Sequence, residues 1–275
     1  MAGVNRVISP SAASTLLEFV NQELTKQREQ VMDGSTAESM RFGDVLSREN
    51  RFDLKLDLDP PVREALNEAI ESIKPVFAGT LGEDAELFEL AALISDPRSP
   101  RQPVHPDTPF RQGEGAAAIT AFVALQVSTR IPAGRDTLSN TLLNIHRVHP
   151  RSHPGPRPQD VDEEMGPTSV IPGTITAEAH ERFNNRDDGG RERVALLREK
   201  PNHVGVLQTG DANLIDSRVI HCGGANASTK RRVLFYFSFK AKGARVPAGS
   251  LLTSLRREGY TLDGVDQWAA PLTTA

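Results

Sequence analysis

In Gly210-Asp211-Ala212-Asn213-Leu214-Ile215-Asp216-Ser217-Arg218-Val219-Ile220-His221-Cys222-Gly223-Gly224-Ala225-Asn226, Gly-Asp opens a turn and an apolar strand follows. A second short strand then ends on His221, just before a glycine pair that would let backbone pass close to a metal. The next run, Ser228-Thr229-Lys230-Arg231-Arg232-Val233-Leu234-Phe235-Tyr236-Phe237-Ser238-Phe239, is rich in strand-favouring residues and begins with two arginines. An arginine carried into a β barrel on such a strand suits a bidentate grip on a carboxylate, as a cosubstrate such as 2-oxoglutarate requires. Far upstream, Val104-His105-Pro106-Asp107-Thr108 sets a histidine and an aspartate two residues apart, on one face of an extended segment. Together with His221 they make two imidazoles and one carboxylate on one side of a metal. The opposite positions stay open, which suits non-haem Fe(II), O2 and a cosubstrate. By itself His-x-Asp is a weak pattern.

Composition sets the outer bounds. A chain of 275 residues forms one large domain or two small ones, and 38% hydrophobic with 25% charged residues suits a globular protein with a sizeable core. A net charge of -4 gives no basic footprint for nucleic acid. No apolar run reaches membrane-spanning length, so neither nucleic acid nor membrane is expected as a partner. Met1-Ala2-Gly3-Val4-Asn5-Arg6 is not followed by a signal-type apolar core, so the expected location is cytoplasmic. The single cysteine, Cys222, forbids an internal disulfide and fits a reducing compartment. The C-terminal Leu-Thr-Thr-Ala is no peroxisomal address. Oligomeric state is not fixed by any of this.

Along the chain, Ser9-Pro10-Ser11 starts a helix carried to about residue 31 by Leu16, Phe19, Val20, Leu24 and Val31. Residues 33–41 read as a polar loop. Phe52, Leu54, Leu56 and Leu58 alternate with Arg51, Asp53, Lys55 and Asp57, the signature of a half-buried strand. Asp59-Pro60-Pro61 begins a second helix with an apolar stripe from Val62 to Ile73, expected to end near Pro75. Downstream the pattern turns to short strands at 87–94, around 104–107, and at 119–125, 168–171, 205–207, 213–216 and 232–239. Turn residues separate several of them. Helices packed outside an antiparallel barrel or jelly roll match this order.

The arrangement resembles the Fe(II)- and 2-oxoglutarate-dependent dioxygenases of the phytanoyl-CoA dioxygenase type, over residues 87–239. The resemblance is carried by His105-Pro106-Asp107, by Thr120-Ala121-Phe122-Val123-Ala124-Leu125 and by Gly166-Pro167-Thr168-Ser169-Val170-Ile171-Pro172-Gly173-Thr174. It also includes the Gly210–His221 block and the arginine eleven residues after His221. It implies a double-stranded β-helix core, mainly β with supporting N-terminal helices. It also implies that His105, Asp107 and His221 hold Fe(II), and that Arg232 rather than Arg231 pairs with the distal carboxylate of 2-oxoglutarate. O2 is the second cosubstrate, and succinate and CO2 are released. Related halogenases replace the carboxylate ligand with a small residue, so Asp107 points to hydroxylation or another oxidative outcome.

Gln102 precedes the metal segment and either hydrogen-bonds 2-oxoglutarate or serves as a satisfied structural amide. Phe122, Thr108 and Thr168 are equally open between pocket and core, and Cys222 reads as a buried, inert thiol. Residues 127–159 contain His146, His149 and His153 but show no strand alternation, and these histidines are not assigned as ligands. Joining Gln126 to Asp160 restores the continuity usual in the family. The 33 intervening residues begin Val-Ser, encodable by a splice-donor-like GTGAG, and end in Gln, encodable by an acceptor-like CAG. The expectation is a retained intron translated in frame, or an unstructured insertion. A substrate lid is the rival reading.

The chain is therefore expected to be a single domain over 1–275, with a helical part to about 80 and a β core over about 86–240. It would act as a 2-oxoglutarate-dependent oxygenase on a small organic substrate. One alternative is an inactive binding or regulatory protein that keeps the fold. Another is a cupin-type metal enzyme indifferent to Arg232→Ala. No CoA-binding signal is present, so phytanoyl-CoA itself is not implied.

Overall fold

The computed structural model describes residues 1–126 and 161–268; the segment 127–159, with its three histidines, lies outside the described residues. Helix α1 (Pro10–Met32) starts where expected, with the Ser9 hydroxyl accepting from the Ala12 amide and Pro10 in the first turn. Its buried stripe, Ala13, Leu16, Val20 and Leu24, follows helical spacing. The 33–41 stretch is not all loop, since a single turn of helix, α2 (Glu38–Arg41), forms there.

Helix α3 (Pro60–Leu81) does not stop at Pro75. Proline removes one amide and frees the carbonyl four residues back, that of Glu71. Both residues face solvent, where water can serve that carbonyl. Beyond the proline, Phe77 and Leu81 continue the buried stripe. Phe77 packs with ring centroids 6.1 and 5.3 Å from Phe237 and Phe239. Packing therefore outweighs one lost hydrogen bond on the exposed side.

The remaining strands are β1 (Ala2–Val4), β2 (Arg51–Lys55), β3 (Glu86–Ser95), β4 (Ala118–Ala124), β5 (Thr168–Val170), β6 (His203–Val204), β7 (Ala212–Asp216), β8 (His221–Gly223) and β9 (Arg232–Lys240). Six form one antiparallel sheet in the order β1-β7-β4-β9-β3-β2, and β6-β5-β8 form a second, smaller one. Residues 205–207 are not a strand; Leu207 makes only an isolated bridge to Val161. Two short helices where no element was expected, α4 (Ala177–Asn184) and α5 (Arg191–Glu199), lie between β5 and β6. At the C-terminal side follow α6 (Thr253–Glu258) and α7 (Val265–Trp268).

Strand alternation divides the large sheet into two faces. Ile119, Ala121 and Val123 of β4, Ala212 and Leu214 of β7, and Val233, Phe235, Phe237 and Phe239 of β9 join α1 and α3 in one apolar cluster. The opposite face looks toward the small sheet, where Val170 of β5 packs with Ile215, Val219 and Phe122. The result is a two-sheet jelly-roll core backed on one side by the N-terminal helices. Arg51 and Asp53 of β2 belong to the inward face and are buried, at 2% and 5% exposure. The polar half of the β2 alternation therefore points into the protein.

Candidate functional site

Rows of cross-strand neighbours set out the inner face. Arg51 opposes Ser95, which opposes Arg232. Further along, Ala91, Tyr236, Phe122 and Asn213 form another row, followed by Glu89, Ser238, Thr120 and Ile215. The small sheet brings His221 to this interior.

His105 and Asp107 lie on no regular strand, because Pro103 and Pro106 each lack a ladder donor. Backbone bonds hold the segment in place. His105 and His221 exchange a reciprocal amide–carbonyl pair, each 2.9 Å, and the Asp107 and Thr108 amides both donate to the Ser217 carbonyl. Outer contacts add to this: Arg193 donates to the Val104 carbonyl, and the Phe110 amide donates to His180 Nδ1. His180 thus acts as a structural histidine on α4.

The three proposed ligands come together, with one donor atom from each of His105, Asp107 and His221 lying within 4.8 Å of the others. Asp107 Oδ1 stands 3.6 Å from His105 Nε2 and 3.7 Å from His221 Nε2. Each imidazole has its Nδ1 against a backbone carbonyl, Pro103 O at 2.7 Å for His105 and Val219 O at 2.9 Å for His221. That contact places the proton on Nδ1 and leaves Nε2 bare, the tautomer a metal ligand needs. Burial, reinforced by the neighbouring His221, lowers the His105 pKa, which favours the neutral, ligating form. Asp107 is the open member, its side chain 44% exposed against 7% for His221. This donor set fits a divalent iron-type ion.

Arg232, as the resemblance implies, points inward, while Arg231 points out to a salt bridge with Asp96. The Arg232 guanidinium is fully buried. It donates to the carbonyls of Met165 and Gly166 and to Ser95 Oγ, and its Nε has no partner. Burial first, then the adjacent Arg51, pulls its pKa down to about 9, so it remains a cation at neutral pH. A fully buried cation with an orphaned donor and, among the described residues, no carboxylate partner is suited to an anionic ligand.

Gln102 is otherwise engaged. Its Oε1 accepts from the Gly223 amide at 2.9 Å and its Nε2 donates to Leu46 O at 3.2 Å, so its amide ties a loop to β8. Phe122 lies half-buried on the inner face, 5.4 Å ring to ring from Tyr236. Thr108 shares a hydrogen bond with Ser217, and Thr168 is buried in β5. Cys222 is buried, with the Arg101 guanidinium against its sulfur. The glycine pair serves close packing. A Cβ on Gly224 would meet Gly166 Cα at 2.7 Å, and one on Gly223 would meet Gln102 Oε1 at 2.4 Å.

The acidic end of the inner face carries no signal that spacing alone reveals. Tyr236 Oη donates to Asp53 Oδ1 at 2.7 Å, and Ser250 Oγ donates to Asp53 Oδ2. Ser238 Oγ, itself 2.8 Å from Thr120 Oγ1, donates to Glu89. Burial raises the Glu89 pKa to about 7 against the opposing Ser238 bond, and Asp107 adds repulsion across the interior.

A family model described as "Phytanoyl-CoA dioxygenase (PhyH)" matches residues 159–234. That stretch runs from β5 into β9 and contains His221 and Arg232. Over that stretch the chain is similar to the phytanoyl-CoA dioxygenase family. Solved structures share the fold of the chain. The α-ketoglutarate-dependent carbocyclase SnoK from nogalamycin biosynthesis superposes with a TM-score of 0.55 at 16% identity, over 93% of this chain and 85% of that one. AviO1 from Streptomyces viridochromogenes Tue57 gives 0.55 at 17% identity, over 90% and 91%. HygX from Streptomyces hygroscopicus, solved with nickel and 2-oxoglutarate, gives 0.51 at 13% identity, over 88% and 82%. At such identities the likeness is one of fold. No curated protein matches the chain. Among the described residues, no helix is long and apolar enough to cross a membrane.

Proposed function

We propose that this chain is an Fe(II)- and 2-oxoglutarate-dependent oxygenase that hydroxylates a small organic substrate. The observation that carries the reading is the meeting of two Nε2-bare imidazoles with Asp107, on the same interior as a buried cation with no carboxylate partner among the described residues. His105, Asp107 and His221 hold the metal, and Arg232 holds the distal carboxylate of the cosubstrate. Bound iron supplies oxidative decarboxylation: one oxygen atom of O2 enters succinate, the other enters a substrate C–H bond as hydroxyl, and CO2 leaves. The protein fixes the ligand tautomers, supplies a counter-charge and encloses the interior with Phe122, Leu93 and Leu234. We assign the whole chain to one functional unit in the cytoplasm, with Gln102 supporting the cosubstrate wall from outside through Gly223.

Anaerobic titration with Fe(II) and then 2-oxoglutarate tests this. A metal-to-ligand charge-transfer band is expected for the wild type. Asp107→Ala should lose it together with about tenfold or more of Fe(II) affinity. Folded wild-type protein without the band would favour a non-catalytic binding role for the fold.

A further inference from the structure

We propose that Arg51 is the second arm of a two-arginine clamp for the distal carboxylate of the dicarboxylate cosubstrate, with Ser95 between the arms. The inference rests on the oxygenase reading and adds a residue that neither spacing nor resemblance assigns. Arg51, Ser95 and Arg232 are direct cross-strand neighbours on β2, β3 and β9, and all three are buried at 2% exposure or less. Both guanidinium groups lean on the same hydroxyl: Arg51 Nε donates to Ser95 Oγ at 3.2 Å and Arg232 Nη2 at 2.9 Å.

Two like charges converge here without a carboxylate partner among the described residues. The other acceptors of Arg51 are the carbonyls of Leu46, Ser47 and Gly224. Those of Arg232 are the carbonyls of Met165 and Gly166. Carbonyl dipoles solvate a guanidinium without neutralising it, so burying the pair is costly until an anion arrives.

The donor inventory also leaves room for one carboxylate. A guanidinium carries five N–H donors. After the bonds above, Arg51 retains one Nη2 hydrogen, and Arg232 retains its Nε hydrogen and one on Nη2. Ser95 Oγ accepts from both arginines, and neither bond uses its own proton. A carboxylate offers about four lone-pair directions, which matches these unspent donors.

Calorimetric titration of the Mn(II)-loaded protein with 2-oxoglutarate and with 2-oxovalerate, which lacks the distal carboxylate, tests the clamp. Arg51→Gln should weaken 2-oxoglutarate by about tenfold or more while 2-oxovalerate stays within about twofold of wild type. Equal binding of 2-oxoglutarate by R51Q and wild type would overturn the clamp alone, as would a proportional loss of both ligands. A wild type that binds neither ligand would overturn the oxygenase reading and the clamp together. Should R51Q lack a cooperative thermal transition, Arg51→Lys carries the same comparison. It keeps the charge but loses the planar fork, so a selective loss of 2-oxoglutarate supports the clamp and wild-type discrimination overturns it.

Discussion

The inner face of the six-stranded sheet has two ends built in the same way and charged in opposite senses. At one end Arg51, Ser95 and Arg232 stand side by side, and at the other Glu89, Ser238 and Thr120 do, with Asp53 and Tyr236 nearby. Both ends bury ionisable groups, but they meet the cost differently. The acids are served by hydroxyls of this chain and can shed charge by taking up a proton, as the shift of Glu89 to about 7 shows. A guanidinium held at about 9 keeps its charge at neutral pH and has no carboxylate partner among the described residues. Self-sufficiency therefore suits a structural role, and unmet demand suits the proposed anion-binding one.

Breaking the cationic end should have the larger effect. Arg232→Met is expected to weaken 2-oxoglutarate by about a hundredfold while Fe(II) binding persists, read by anaerobic titration of the charge-transfer band. Loss of both would show that the end is structural after all. The acidic end should answer to pH instead. Glu89 stays protonated in the folded state where the unfolded carboxyl has already ionised. Stability should therefore fall as pH rises from the ordinary glutamate range to about 7, and level off above it. Glu89→Gln, which mimics the protonated form, should raise Tm by roughly 2–5 °C at pH 8 and leave it nearly unchanged at pH 4. An equal shift at both pH values would sink this account.

The smallest effect is expected from deleting 127–159. Ala124, before the segment, and Val161, after it, share one apolar cluster with Leu207 and Leu234, so the chain leaves and returns at the same place. The shortened protein should unfold cooperatively and bind Fe(II) and 2-oxoglutarate within about threefold of the full chain. Loss of either ligand would assign the segment a part in the site, and transcript sequencing would show whether a message without it exists.

The cationic arm on β9 was legible because a long strand displays its alternation and the family resemblance implies Arg232, eleven residues after His221, over Arg231. His105 and Asp107 were legible as residue types, although prolines keep them off a regular strand. Arg51 was not. Its alternation with Phe52 and Leu54 marks a strand, but a period-2 pattern says only that two faces differ. In a two-sheet fold both are buried, and the polar one can be the interior of the site. Helices α4 and α5 escaped notice because they are short and mostly polar, with Leu196 the sole buried residue of α5. The helix end expected at Pro75 failed because the proline sits on the wet side, where the freed carbonyl costs little.

The contact between Gly166 and Gly224 links the two halves of the site. Gly166 O accepts from Arg232 and from the Gly224 amide, while Gly224 O accepts from Arg51. Gly224 lies three residues beyond His221 on the same short segment. Occupancy at the arginines and occupancy at the imidazoles thus bear on one stretch of backbone. Thermodynamic reciprocity then sets a rule for loading: whatever factor the metal adds to cosubstrate affinity, the cosubstrate returns to the metal. A cosubstrate that tightened the metal would in turn be held more tightly, by the same factor, once the metal was bound.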